Sequence, residues 1–351
     1  MNDLAVRKFS PETSSHDFDI VVLAAGFEER SFEFLNKSNF GTSTHILIID
    51  FENELKINKV ISKSFRDCAI AKVGVGLVHN VTYERSTVDN FSKTLGAALR
   101  GIPVSCSNMA IDISGMPTHV VYIVLDSVRK ARPYDDQTLI YTSASTYLPS
   151  FEEYEELVSK QGDDIEYLPK SMALEMSENL VLEPFSGYRK SDSNSCLILF
   201  AGYEAHRSTG VIEAINPTLL LLIYGCPPSE KMFWRQSLSE RLHNKFERML
   251  RCAREIVSTQ NIRESLDTLD QYYNYLIDDY DVTIAPLGSK LQTVATFLFW
   301  ERYPEVQINF PLPIGYDPTR KPLGVDQTYC VNLPGRLSYS QQSQSNLEEK
   351  K

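Results

Sequence analysis

The sequence predicts an α/β protein made of two tandem, diverged copies of one unit, each with a mostly parallel sheet. Three observations predict it. Apolar runs of strand length alternate with stretches of helical periodicity, the pattern of β-α-β units. The same series of runs occurs twice along the chain. The first run of each series and a later one lead into glycine loops, Gly26 and Gly115 in one copy, Gly202 and Gly288 in the other.

Residues 19–25 (DIVVLAA) are continuously apolar after Asp19, as a strand buried on both faces must be. The run ends at Gly26, and a helix is predicted to start near Ser31. Residues 45–50 give the second strand and 78–83 the third, followed by a helix over 88–100. The fourth strand, 109–113, ends at Gly115; an apolar-rich helix over 118–130 and a fifth strand over 137–142 complete the copy. In the second series residues 196–201 (CLILFA) end at Gly202, a helix starts near Ser208, and residues 219–224 (LLLLIY) are the second strand. A helix over 268–280, a strand over 281–285 ending near Gly288, a helix over 291–303 and a strand over 306–310 follow.

The spacing argues for duplication. Gly26 and Gly115 lie 89 positions apart, and Gly202 and Gly288 lie 86 apart. Gly26-Phe27-Glu28-Glu29-Arg30-Ser31 matches Gly202-Tyr203-Glu204-Ala205-His206-Arg207-Ser208 as Gly-aromatic-Glu-x-Arg-Ser with one inserted residue. Internal repetition of this kind marks a repeated structural unit. The predicted organisation is a first Rossmann-like unit over 1–170, a linker over 171–195, a second unit over 196–333 and a disordered, Ser/Gln-rich and charged tail over 334–351. Within the second unit, residues 229–260 read as an inserted amphipathic helix, Leu238, Leu242 and Phe246 on its apolar side and Arg241, Arg248 and Arg251 among its basic residues.

Composition narrows the function. A chain of 351 residues has the length of two domains, and its 42% apolar and 23% charged content is ordinary for a globular protein. The net charge of −11 argues against broad, non-specific nucleic-acid binding, which needs a basic footprint. Six scattered cysteines without a C-x-x-C pair read as free thiols of a reducing compartment, and no run approaches the roughly 20 apolar residues of a membrane span. A cytoplasmic location without membrane contact is expected. No histidine spacing suggests a metal site, no G-x-S-x-G or activated cysteine suggests a catalytic nucleophile, and no cofactor motif is present.

In an open parallel sheet ligands sit beyond the carboxyl ends of the strands, where the strand order reverses. With the order 3-2-1-4-5, the loops after strands one and four share that crevice. The candidate ligand-binding residues are therefore Gly26, Glu28, Arg30, Ser31, Asp112, Ser114 and Gly115 in the first copy, and Gly202, Glu204, Arg207, Ser208, Gly288, Ser289 and Lys290 in the second. Glycines admit backbone N–H groups to a phosphate at a helix N-terminus, and Arg30, Arg207 and Lys290 would supply countercharge. Glu28 and Glu204 would repel a bare phosphate but can accept from a ribose hydroxyl or a base amine. The same residue types also serve as turn glycines, helix caps and Arg–Glu pairs.

At Ile111-Asp112-Ile113-Ser114-Gly115-Met116-Pro117-Thr118 a strand, a polar residue, Ser, Gly and a helix resemble the signature loop of CARF domains, Rossmann-like sensors of cyclic oligonucleotides. Ala285-Pro286-Leu287-Gly288-Ser289-Lys290 looks like a looser version. Met116 and Pro117 depart from the Gly-Thr-Lys type of continuation. The resemblance implies a pocket lined by the loops after strands one and four, and two units about a pseudo-two-fold axis, fused in one chain as in the related SAVED domains. It also implies a role in bacterial antiviral defence with a separate effector protein. Three readings follow: a non-catalytic sensor of a nucleotide or small oligonucleotide; a nucleotide- or nucleoside-processing hydrolase or transferase using Glu28 or Glu204; and a structural subunit of a complex, making contacts through the basic helix.

Overall fold

The computed structural model of the protein describes residues 4–12, 18–52, 56–103, 105–163, 165, 166, 168, 172–188 and 194–334. The predicted tail, from residue 335 onward, lies outside the described residues, as do residues 171 and 189–193 of the predicted linker. In chain order the elements are β1 (Arg7–Phe9), β2 (Ile20–Ala24), α1 (Arg30–Lys37), β3 (His45–Phe51), α2 (Lys56–Val73), β4 (Val78–Tyr83), α3 (Val88–Gly101), β5 (Asn108–Asp112), α4 (Thr118–Ala131) and β6 (Asp136–Thr142). They continue as α5 (Phe151–Gln161), β7 (Met176–Leu180), β8 (Asn194–Ala201), α6 (Ala205–Ile215), β9 (Leu219–Cys226), α7 (Trp234–Met249), β10 (Cys252–Ser258), α8 (Ile262–Leu276), β11 (Tyr280–Pro286), α9 (Lys290–Arg302), β12 (Gln307–Ile308), β13 (Phe310–Pro313) and β14 (Thr328–Leu333).

The chain divides into two compact units, Met1–Thr146 with Pro322–Lys351, and Tyr147–Lys321. In the first, seven strands lie in the order β1-β14-β6-β5-β2-β3-β4. The five from β6 to β4 are parallel, and β14 and β1 add antiparallel pairs at one side. In the second, five parallel strands lie in the order β10-β9-β8-β11-β12, beside a separate antiparallel ribbon of β13 and β7. Numbered within each unit, both parallel sheets have the predicted order 3-2-1-4-5.

Burial explains the strand sequences. Every residue of β2 is buried, so both its faces must be apolar. Val21, Leu23, Ile46 and Ile48 face Phe34 and Leu35 of α1 and Phe65 and Ala69 of α2 in one continuous core. The second unit repeats this with Leu197, Leu199, Leu220 and Leu222 against Val211, Ile212 and Phe246.

The boundaries differ from those read along the sequence. The strand Thr328–Leu333, assigned by proximity to the second copy, hydrogen-bonds to β6 and covers what would be an open edge of the first sheet. Helix α5 belongs to the second unit, where Leu157 packs with Leu238 and Leu242. Residues 176–180 of the predicted linker form β7 and pair with β13. The segment 229–260 is no insertion: α7 is the crossover from β9 to β10, and β10 is the third strand of the sheet. Its sequence, CAREIVS, escaped notice because an edge strand keeps one side wet, and the alternating Arg254 and Glu255 continue the charge pattern of the preceding helix.

Phe34 is fully buried, its ring 5.9 Å from Phe9, 6.2 Å from Phe18 and 5.7 Å from Phe40. Phe34→Ala is expected to cost about 3–5 kcal/mol of stability, the usual loss for a large aromatic truncated in a core, read as an earlier urea midpoint for the first unit's transition.

Candidate functional site

At the carboxyl end of the first sheet, the loops after β2 and β5 touch backbone to backbone. A Cβ on Gly26 would stand 2.9 Å from the Gly115 Cα, and one on Gly115 would stand 2.8 Å from the Ala24 carbonyl oxygen and 2.8 Å from the Ser31 Cβ. No other residue type allows that approach. Right-handed crossovers carry helices that follow neighbouring strands of reversed order to opposite faces, and in open parallel sheets this is the place where a ligand crevice is expected.

Around the contact the polar side chains are interlocked. Arg30, only 5% exposed, donates from Nε to Glu28 Oε2 at 2.6 Å and from Nη1 to the Thr142 carbonyl at 3.2 Å and the Tyr141 hydroxyl at 3.3 Å. Its guanidinium also lies 5.6 Å from the Tyr141 ring centre. Ser31 Oγ donates to the Gly26 carbonyl at 3.1 Å and to the Glu28 carbonyl, closing the turn into α1. Ser114 Oγ donates to Asp112 Oδ1 at 2.5 Å and accepts from the Thr142 N–H at 2.8 Å, and the Ser114 N–H donates to the same Asp112 oxygen at 2.9 Å. Strands one, four and five are thereby tied together at their carboxyl ends.

Asp112 is the exception to this closure. It is 1% exposed, and its Oδ2 has no hydrogen-bond partner among the described residues. Burial pushes its carboxyl up to about 7, against the opposing pull of the two Ser114 hydrogen bonds and the Arg30 charge. At neutral pH this group carries a proton part of the time.

In the second unit Gly202 meets the Leu287 carbonyl oxygen, which a Cβ would approach to 2.5 Å. Arg207 donates to Glu204 Oε2 at 2.6 Å and to the Pro311 carbonyl at 2.8 Å, while Glu204 Oε1 accepts from the Ala173 N–H at 2.8 Å. The pair thus fastens α6 to the β13 strand of the ribbon. In both copies the Arg of the shared motif reaches a carbonyl at or just past the fifth strand. Ser208 Oγ is within 2.7 Å of His243 Nε2, and His243 Nδ1 within 2.8 Å of the Ser239 carbonyl. Complete burial lowers the His243 pKa to about 4 and keeps the ring neutral. Ser289 caps α9, its N–H donating to Gln292 Oε1 at 2.8 Å, and the Gln292 side chain lies against Gly288 and Gly225. Lys290 begins α9, half-buried.

The structure brings the first-copy candidates into one cluster and gathers those of the second copy around β8 and β11. It also adds residues that the sequence did not single out. Tyr141 and Thr142 receive Arg30, and Tyr83 bonds to His119 Nε2 at 2.8 Å. The predicted basic face is dispersed. Arg235 is buried under Tyr147, Tyr203 and Trp234, Arg241 pairs with Asp163, and Arg254 stands on β10 against Glu240 and Glu247. Among the described residues no cluster of three or more His, Cys, Asp or Glu is placed to hold a metal ion, and no helix is long and apolar enough to cross a membrane.

Two measurements probe this geometry. Gly115→Ala must push backbone aside and is expected to cost about 1–3 kcal/mol, several degrees of melting temperature. Gly41→Ala, which meets only Thr44 Oγ1 at 3.5 Å, serves as the mild control. For Asp112 the native state binds more protons than the unfolded chain between its ordinary value near 4 and about 7, so its contribution declines as pH rises through that window. Asp112→Asn is expected to remove that decline and to be more stable than the native chain above pH 7, with the difference vanishing toward pH 4 in urea titrations.

No family model matches the chain, and no curated protein matches it. Among solved structures the chain is similar to a type III CRISPR defence DNA nuclease activated by cyclic oligoadenylate, at 9% identity and a TM-score of 0.47, covering 80% of this chain. The match spans 63% of that nuclease's length. It is also similar to the N-domain, with NADP, of a bacterial malonyl-CoA reductase, at 9% identity and a TM-score of 0.20, over 82% of this chain and 80% of the other.

Proposed function

We propose that this protein is a non-catalytic sensor that binds a nucleotide or small oligonucleotide in the crevice of its first unit and passes the signal to a separate effector protein, in bacterial antiviral defence. The observation that carries the reading is the backbone contact of Gly26 with Gly115 at the reversal of strand order, beside a buried Asp112 oxygen that lacks a partner among the described residues. A crevice floored by glycine backbone admits a planar base or a phosphate, and a carboxyl poised near neutrality can donate to a base or accept from it. The resemblance of the Ile111–Thr118 loop to that of CARF domains supports the same ligand class.

The second copy is the weaker candidate for a ligand. Both oxygens of Glu204 and two donors of Arg207 are committed within the unit, and Gln292 occupies the space beside Gly288. These commitments also speak against Glu204 as a catalytic carboxylate. In the first copy Glu28 is held against Arg30 with side chains 13% and 6% exposed, an arrangement that orders a loop rather than frees an acid for proton transfer.

The test is native mass spectrometry of the purified protein, with a thermal-shift panel of mono-, di- and cyclic oligonucleotides. A nucleotide that stabilises the chain, is recovered intact and loses about tenfold or more in affinity with Asp112→Asn or Gly115→Ala is the expected result. A nucleotide recovered cleaved, with cleavage abolished by Glu28→Gln, would establish the enzyme reading instead. No shift with any member of the panel would overturn both.

A further inference from the structure

We propose that a second cleft of the first unit, at the carboxyl end of β3, binds a phosphorylated ribose, as the free sugar phosphate or as the end of a nucleotide. The cleft has a volume of about 400 Å³ and is lined by Lys59, Ser62, Lys63 and Arg66 of α2 and by Asp50 and Glu52 at the strand end. Positions 59, 62, 63 and 66 recur at helical spacing, so one face of α2 presents three cations and a hydroxyl to the cleft.

The charges there are in different states. Arg66 is committed: its Nη2 lies 3.6 Å from Asp50 Oδ2. With the Asn80 amide turned so that its oxygen faces Arg66, that oxygen accepts from Nη2 at 2.6 Å and from Nε at 2.8 Å. Lys59 and Lys63 are exposed and have no ion pair among the described residues. Glu52, also exposed, has its pKa raised by the neighbouring carboxyl of Glu84. Asp50 Oδ1 is buried and lacks a hydrogen-bond partner among the described residues.

Two ammonium groups ask for an anion, and an unpaired carboxylate oxygen asks for a donor. Inorganic phosphate satisfies the first and is repelled by the second; a neutral sugar satisfies only the second. A ribose phosphate meets both, its phosphate on Lys59 and Lys63 and a ring hydroxyl on Asp50 Oδ1. The cleft is also next to the crevice. Ala24 pairs with Ile49 and the Ala25 N–H donates to the Ile49 carbonyl at 2.9 Å, so Asp50 stands one strand, about 4.8 Å, from the Gly26 turn. A nucleotide whose base occupies the crevice can place its sugar phosphate here, and for that span the inference rests on the nucleotide reading.

The test is isothermal titration of the full chain with ribose 5-phosphate, adenosine 5′-monophosphate, adenosine and inorganic phosphate. Ribose 5-phosphate is expected to bind about tenfold more tightly than inorganic phosphate, and Lys59→Ala with Lys63→Ala to weaken it by about tenfold, as loss of charge-assisted hydrogen bonds should. Asp50→Asn should weaken ribose 5-phosphate more than inorganic phosphate. The two lysine variants, at exposed positions, should keep the native melting temperature. If neither ribose 5-phosphate nor the nucleotide binds, or if both bind the lysine variant as tightly as the native chain, the assignment is wrong. The two readings fail separately. Nucleotide binding that needs Gly115 but ignores Lys59, Lys63 and Asp50 retains the crevice and sinks the cleft. Sugar-phosphate binding that depends on the lysines, with no gain from adenine and no effect of Gly115→Ala, retains the cleft and sinks the crevice.

Discussion

Two neighbouring parallel strands whose helices leave toward opposite faces must part at their carboxyl ends, and here they part from direct contact between main chains. The first unit makes that contact with Gly26 against Gly115, the second with Gly202 against Leu287. A Cβ at any of the three glycines would wedge the loops apart and shift the starts of α1, α4 and α6. The way the helices set off from the strand ends, and with it the placing of the polar side chains beside the junctions, depends on these few ångströms.

Polar groups drawn into so tight a junction must find partners, since unmet hydrogen bonds in a dry interior cost about 1–3 kcal/mol each. The shared Glu-x-Arg-Ser segment supplies them. Its Arg crosses to a carbonyl near the fifth strand, its Glu holds that Arg, and its Ser turns inward: Ser31 onto the loop, Ser208 onto His243. The shared residues thus meet the same local architectural demand in both units. What differs between the copies is what remains once that demand is met. The second unit fills its junction with Gln292 and with the strand β13, whereas the first leaves a carboxyl oxygen of Asp112 unmet among the described residues.

Much of this was legible in the sequence because the signals were local. Both-face burial made β2, β5, β8 and β9 into uninterrupted apolar runs, and the glycine spacing set the two series of elements side by side; the strand order followed from the arrangement usual in such sheets. Less visible were the elements whose meaning depends on distant partners. The edge strand β10 has the alternation of charge and apolarity that an adjoining amphipathic helix also shows. Strand β14 carries no mark of which sheet will receive it. The candidate residues were found by type and position, but their commitments were not: Arg30 reads as countercharge until Thr142 and Tyr141, more than a hundred positions away, take up its donors. The cleft on α2 was missed because Lys59, Lys63 and Arg66 follow no glycine and only helical spacing connects them.

The placement of β14 has a consequence for how the chain is made. Its hydrogen bonds to β6 span nearly the whole second unit in sequence, since Thr328 pairs with Thr142 and Leu333 with Gln137. On the ribosome the amino-terminal sheet emerges first and would ordinarily fold first, yet its edge at β6 stays uncovered until all of Tyr147–Lys321 has been synthesised. Of the two units, the one begun earlier is thus finished later. In the interval it presents an open parallel edge, the kind of surface that invites pairing with another nascent chain, so the first sheet can be sealed only after the intervening unit has been synthesised.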